Sequence, residues 1–370
     1  METRGTRWTI LKRGSTTIHA SAPSSNGDPS LSVTPFSGSA AEWDAVVGTL
    51  EGSTFCHLAG WRPVMEDALG HEAWWWSAVD EAGACHGVLP LVRVKSLLFG
   101  DYLLSMPFLS YGGPIGSEAA RGALAEHAVA EAGRLGVDLL ELRDRRPVPG
   151  ELATSERKIT VLKALPDSTD ALWEDGLKAK VRSQVRKPMK EGLEARTGPD
   201  FVDAFYDIFA VTMRDLGTPV LPKRFFEALG EHLGEHLIYC VVEHEGTPVA
   251  AGCGFLWNGE FEITWAGALR EYNRMAPNML LYWALMEESV RRGADTFNFG
   301  RCTPGSGTHR FKKQWGTEDH PLPWAQWSPD GVAATPNPES AKFRLATQVW
   351  QKLPVGVTNA VGPVLARSLP

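Results

Sequence analysis

No run in the 370-residue sequence approaches the ~20 consecutive apolar residues of a membrane span. Arg4, Arg7, Lys12 and Arg13 crowd the N-terminus, but no apolar stretch follows them, so they do not read as an export signal. Cysteine is scarce and scattered: Cys56, Cys85, Cys240, Cys253 and Cys302 are odd in number and include no Cys-x-x-Cys pair. That excludes a disulfide framework and a zinc ribbon and fits a reducing compartment. The expected location is therefore the cytoplasm, at the inner face of the membrane where a substrate is lipid-linked. Excess positive charge is also missing. At a net charge of −7 the surface as a whole repels nucleic acid and anionic lipid, so a polyanion has to be held by local basic clusters.

Two signals that could suggest other chemistry are weak. His232-Leu-Gly-Glu-His236 has the spacing of an inverted zinc peptidase motif, but Gly234 interrupts the helix and an apolar strand begins at Leu237. Cys302 and His309 lie near one another in sequence with nothing to bring them into contact. Neither a metal nor a cofactor is expected.

Hydrophobic residues at 43% and charged residues at 22% describe a globular chain, and its length points to two domains. Residues 1–34, rich in Ser, Thr, Gly and Pro without periodicity, read as a disordered leader. From residue 35 the periodicity predicts helix, helix, three strands, a helix over 118–135 and a strand over 139–143. The same order recurs after residue 200. The fold class is α/β with a mixed sheet: a first domain over 35–166, a second over 167–328, a cleft between them and a helical tail over 329–370. This order is that of the GNAT acyltransferase fold.

Two basic clusters stand out. Between residues 178 and 192, Lys178, Arg182, Arg186 and Lys190 recur every four positions and form one stripe on a helix, which Pro188 is expected to break near Arg186. The second begins with the aromatic strand Thr296-Phe-Asn-Phe299, turns at Gly300 and Pro304, and sets Gly305 and Gly307 before His309, Arg310, Lys312 and Lys313. Glycines leading from a strand into a basic helix offer N–H groups to an anion.

Phe299-Gly-Arg301 together with Phe311-Lys-Lys-Gln-Trp-Gly316 resembles the closing signature of FemAB-related proteins. The likeness extends over most of residues 36–360, through Gly87-Val-Leu-Pro-Leu-Val92, Met106-Pro-Phe108, Tyr111-Gly-Gly-Pro114 and Arg182-x-x-x-Arg186-Lys187. With the tail Trp350-x-x-Leu353-Pro354 it is most similar to the branch associated with exosortase and exopolysaccharide clusters. The resemblance implies two GNAT-like domains that transfer an aminoacyl group from aminoacyl-tRNA to an amine of a cell-envelope precursor. It implies Lys312 as the catalytic residue and substrate contacts from Phe311, Thr212, Arg214 and Trp265; Arg301 and Tyr111 in its motifs are further substrate-binding candidates, and Arg310 and Lys313, by their charge, are candidates to meet phosphates. Lys178, Arg182, Arg186 and Lys190 would receive tRNA. Met65 stands where the pattern has a phosphate-binding lysine. Asn273 and Met275 stand where an acetyl-CoA-binding turn needs small residues, which points away from that donor.

Overall fold

The structure is a computed structural model that describes residues 30–96, 99–331 and 341–369. Along the chain come β1 (Ser32–Pro35), α1 (Ala40–Thr49), the short helix α2 (Trp61–Pro63), β2 (Glu72–Val79), β3 (Cys85–Ser96), β4 (Gly100–Leu104), β5 (Ile115–Gly116), α3 (Glu118–Leu135), β6 (Leu139–Leu142) and β7 (Ala153–Ser155). Next are β8 (Ile159–Ala164), α4 (Thr169–Glu174), α5 (Ala179–Lys190), β9 (Leu193–Gly198), α6 (Val202–Leu216), α7 (Lys223–Leu233), β10 (Leu237–His244), β11 (Thr247–Trp257) and β12 (Glu260–Ala268). The last are α8 (Pro277–Arg291), β13 (Thr296–Cys302), α9 (Gly307–Lys313), β14 (Glu318–Pro321), β15 (Trp324–Trp327), α10 (Ala341–Trp350) and α11 (Val355–Ala366).

The strands form two sheets, ordered β1-β2-β3-β4-β6-β15-β7, with β5 on β3, and β14-β8-β13-β12-β11-β10-β9. One unit occurs in both. Three antiparallel strands are followed by a helix and a strand parallel to the third, as β2-β3-β4-α3-β6 and again as β10-β11-β12-α8-β13. The repeat and the mixed α/β class expected from the sequence are both present. Local chemistry fixes the helices: Ser39 and Glu42 form a reciprocal capping box on α1, while α3 runs from the Ser117 cap to Gly136 in the left-handed region.

Several expectations are revised. Most of the predicted leader lies outside the described residues, but its end is ordered, because Ser32–Pro35 pairs antiparallel with β2 as an edge strand. β8, placed by the sequence in the first domain, joins the second sheet beside β13, and β15, placed in the second, pairs with β6 in the first. Periodicity identifies a strand but not its partner, since pairing is set by contacts remote in sequence. Nor does α5 break near Arg186. Pro188 stands in its last turn, where little helix remains to be lost, and its ring is buried.

The largest apolar core joins the two halves. Trp43, Phe55 and Trp61 from the first meet Phe205, Phe225 and Phe255 from the second. Phe55 stacks on Phe255 with ring centroids 4.6 Å apart, and Trp61 lies 5.4 Å from the same ring. Truncating a buried Phe typically costs ~3–5 kcal/mol. Phe255→Ala is expected to lower stability by about that much while scanning calorimetry still shows one transition; two separated transitions would mean that the halves fold independently.

Candidate active site

The site is built from strand alternation. Along β12 and β13, Phe261, Ile263, Phe297 and Phe299 turn into the second half's core, packed with α8. Glu260, Glu262 and Asn298 fall on the other face, toward the first half. There the Asn298 amide Nδ2 lies 3.0 Å from Tyr111 Oη and 2.8 Å from both Glu260 Oε1 and Glu262 Oε2. Its carbonyl oxygen accepts from Thr160 Oγ1 at 2.7 Å and from the Gly300 N–H at 2.8 Å. Arg145 clamps Glu260 with both terminal nitrogens, one at 2.7 Å, and lies 4.1 Å above the Tyr111 ring.

Glu262 is only 1% exposed, and burial lifts its carboxyl to about 8, against the opposing charge of Arg145. Lys312, on α9, is 3% exposed and donates to Gly300 O at 2.7 Å and Arg301 O at 3.0 Å. Burial draws its ammonium down to about 8, with Glu262 opposing. The two groups flank one glycine: a Cβ placed on Gly300 would lie 3.8 Å from Glu262 Oε1 and 4.0 Å from Lys312 Nζ. Gly300 itself has φ +70°, which a side chain would strain. A carboxyl and an amine that both titrate near neutrality can exchange protons with a reacting group.

Beside this pair the sheet opens. β12 and β13 are paired only from Glu260↔Thr296 to Glu262↔Asn298; beyond that point β12 continues paired with β11 alone and β13 with β8 alone. Farther along β12 lies a cavity of about 410 Å³, lined by Ala266–Ala268 of β12, Thr212 and Asp215 of α6, Tyr282 of α8, and Thr308 and Phe311 of α9; Glu262, Gly300 and Lys312 are not in its lining. Gly267 allows β12 to approach α6, since a Cβ there would meet Thr212 Oγ1 at 2.3 Å.

Residues 178–313 match the family described as acetyltransferase (GNAT) domain. The structure described as FemX superposes with a TM-score of 0.61 at 13% identity, covering 86% of this chain and all of that one. L-PGS from Bacillus licheniformis gives 0.52 at 13% identity over 85% of this chain and 97% of that one. The C-terminal domain (DUF2156) of a putative lysylphosphatidylglycerol synthetase from Agrobacterium fabrum gives 0.51 at 13% identity over 72% and 88%. No curated protein sequence matches the chain. The chain has a tandem GNAT acyltransferase fold. At these identities the structural likeness carries the fold and nothing finer.

Within this tandem GNAT fold the predicted site residues are dispersed. Thr212 and Phe311 line the cavity, with the Thr212 hydroxyl turned back to Ile208 O. Lys312 lies beside it, aimed at the β13 backbone. Arg214 pairs with Asp215 at 2.6 Å and donates to Leu353 O at 3.1 Å. Trp265 packs edge-on against Phe225 and Phe226. Tyr111 is buried in the polar seam, and Arg301 lies 5.4 Å from the Trp324 ring. Arg310 donates to Gly305 O, and Lys313 is held by Thr317 O and Asp319. His309 also pairs with Asp319, at 3.0 Å, rather than with Cys302.

The basic stripe divides in the same way. Nη1 of Arg182 lies 2.6–3.2 Å from the carbonyls of Trp173, Glu174 and Leu177, and Arg186 lies over Trp173 at 4.9 Å. Lys178 caps α5 by position without a side-chain bond. Arg186 and Lys190, with Lys187, line a shallow groove. Sequence reasoning passed over Glu262, Glu260, Asn298 and Arg145. The available signal was Glu-Phe-Glu in a strand flanked by apolar residues, where alternation buries a carboxylate.

The Glu262 carboxyl holds its proton in the folded chain up to about 8, while the unfolded chain releases it near ~4.3. Between those values the folded state binds more protons, so this group costs stability as pH rises through that window. Glu262→Gln is therefore expected to gain on the parent by on the order of 2–4 kcal/mol between pH 5 and pH 8 in urea denaturation. Parallel curves for the two proteins would show that the carboxyl is not buried in this state.

Proposed function

We propose that the protein is an aminoacyltransferase of the FemAB type, which moves an aminoacyl group from aminoacyl-tRNA to an amine of a cell-wall or exopolysaccharide precursor. The observation that carries the reading is the buried Glu262–Lys312 pair flanking Gly300 where β12 and β13 part, with Phe311, the neighbour of Lys312, lining the cavity. The acceptor amine attacks the ester carbonyl, a C–N bond forms and the C–O bond to the donor breaks. The amine's proton leaves through the site, and the departing hydroxyl takes one up. An ammonium has three protons, and the carbonyls of Gly300 and Arg301 hold two of those on Lys312. The third is left for the oxyanion, whose negative charge is best stabilised in a dry, preorganised site. Around pH 8, where both groups are partly titrated, the form with Glu262 ionised and Lys312 still an ammonium is the one suited to accept the proton of the attacking amine. Arg186, Lys187 and Lys190 supply the positive groove for the donor's phosphates.

Loss of one preorganised oxyanion donor typically lowers the rate by ~10² to 10³. Lys312→Met is expected to show that loss in single-turnover transfer, while Lys313→Met, which removes an ion pair with Asp319, keeps most of the activity. Equal losses in the two variants would overturn the assignment of Lys312.

A thioester donor is the second reading, favoured by the GNAT family match over residues 178–313. Against it, the Arg270–Met275 turn before α8 carries Asn273 and Met275 in place of small residues, and its Arg270 is tied to Asp215. Isothermal titration is expected to show no micromolar binding of acetyl-CoA. Stoichiometric binding would replace the tRNA donor with the thioester.

A further inference from the structure

The C-terminal segment contrasts in charge with the rest of the chain. Residues 341–369 carry Lys342, Arg344, Lys352 and Arg367 and no acidic residue, in a protein of net charge −7. They form two helices with an uncommon division of faces. α11 sets Thr358, Gly362 and Ala366 inward, with Gly362 against Val220 and Ala366 in the main core. On the roughly opposite side, Val357, Val361 and Val364 are 44%, 45% and 57% exposed, and no charged residue occurs within the helix. α10 adds Leu345 at 63% and Val349 at 54%. The spacings i, i+4 and i+7 on α11, and i, i+4 on α10, place each set on one helix face. Exposed large apolar side chains are otherwise few, with Met189 and Leu216 the others among the described residues.

Between the helices runs an apolar groove of about 320 Å³, bounded by Phe99, Pro219, Ala346, Trp350, Leu365 and Leu369. The Trp350 indole N–H at its wall is buried without a hydrogen-bond partner. Arg344, Lys352 and Arg367 are exposed, and among the described residues none of them is ion-paired. An apolar face rimmed by cations and free of acids suits the boundary between acyl chains and anionic headgroups. Among the described residues no helix is long and apolar enough to cross a bilayer, so contact would be in the plane of the surface. A second copy of the chain is a poorer occupant, because two such tails face to face would juxtapose like charges.

We propose that the α10–α11 tail docks the protein on an anionic phospholipid surface, with its valines at the acyl boundary and its three exposed cations on lipid phosphates. The tail also borders the cavity: Leu353 O accepts from Arg214, Gln351 donates to Asp215 O at 3.1 Å, and Asp215 and Leu216 line the cavity. Docking there would present the cavity's rim to substrates held at the membrane. Whether the tail docks is independent of which donor the cavity takes, so vesicle binding and transfer activity fail or succeed separately.

The test is co-sedimentation of the whole chain with phosphatidylcholine vesicles, with and without phosphatidylglycerol, at low and high salt. Binding is expected only to the phosphatidylglycerol vesicles, weakening with salt. The triple variant Val357→Ser/Val361→Ser/Val364→Ser and the triple variant Arg344→Gln/Lys352→Gln/Arg367→Gln should each lower it by roughly tenfold or more. Should circular dichroism show the valine triple unfolded, Val361→Asp alone replaces it with the same expectation. No binding to anionic vesicles, binding unchanged in the valine variant, or a dimer in sedimentation velocity that the valine variant dissolves would each overturn the proposal.

Discussion

Glu262 and Lys312 are held where neither is well solvated, and much of the surrounding architecture follows from that. Burial raises the Glu262 carboxyl, opposed chiefly by Arg145, and lowers the Lys312 ammonium, opposed chiefly by Cys302 and then Glu262. Holding them requires a seam closed from both sides. The first half contributes Tyr111 and Arg145, and the second contributes Glu260, Asn298 and the α9 backbone. Asn298 ties the set together because a carboxamide can donate and accept at once, bridging carboxylates on one side and the Gly300 N–H on the other. A buried network is stabilising only when its members are satisfied, which is why one shared core must fix the two halves in register.

The aromatic core provides that register. Phe55 and Trp61 reach Phe255 from the opposite half, and the exchanged strands β8 and β15 carry the chain from one sheet to the other. Arg145, which follows β6, is thereby delivered to Glu260 on β12.

The tandem α/β organisation was legible because each half repeats the same run of 2-residue and 3.6-residue periods, and because caps such as Ser39 and Ser117 announce their helices locally. The sheet to which β8 and β15 belong was not legible, since neither strand's pattern encodes its neighbour. Within the site, the stretch from Thr296 to Gly316 announced itself by glycine and basic residues, and it does supply Gly300, Phe311 and Lys312. Its remaining cations have local partners: Arg310 and Lys313 bond nearby carbonyls, and Lys313 pairs with Asp319. Glu262 was hidden because an acidic residue in a strand reads as solvent-facing until the opposite half covers it. Arg214 and Arg182, attractive as phosphate contacts, serve the fold by binding the carbonyl of Leu353 and the end of α4.

Comparing the two halves indicates why chemistry is expected in only one of them. Each has a short parallel pair whose last register holds a glutamate, Leu104↔Glu141 in the first, on the strand after the helix, and Glu262↔Asn298 in the second, on the strand before it. In the first half Glu141 is neutralised by Arg143 at 2.8 Å and takes a hydrogen bond from Gln326 at 2.6 Å. Arg143 also donates to Met106 O and Leu109 O, so its guanidinium is held across the end of that pair. In the second half β8 flanks β13 as β15 flanks β6, but no arginine contacts Glu262 among the described residues, and its carboxyl takes a hydrogen bond from the Asn298 amide instead. The pair thus ends on a carboxylate with a cationic partner in contact in one copy, and on a carboxyl hydrogen-bonded by an amide and raised by burial in the other. A duplicated fold can divide its work in this way, because the copy whose carboxylate is neutralised yields the rigid wall against which the other copy's groups are held.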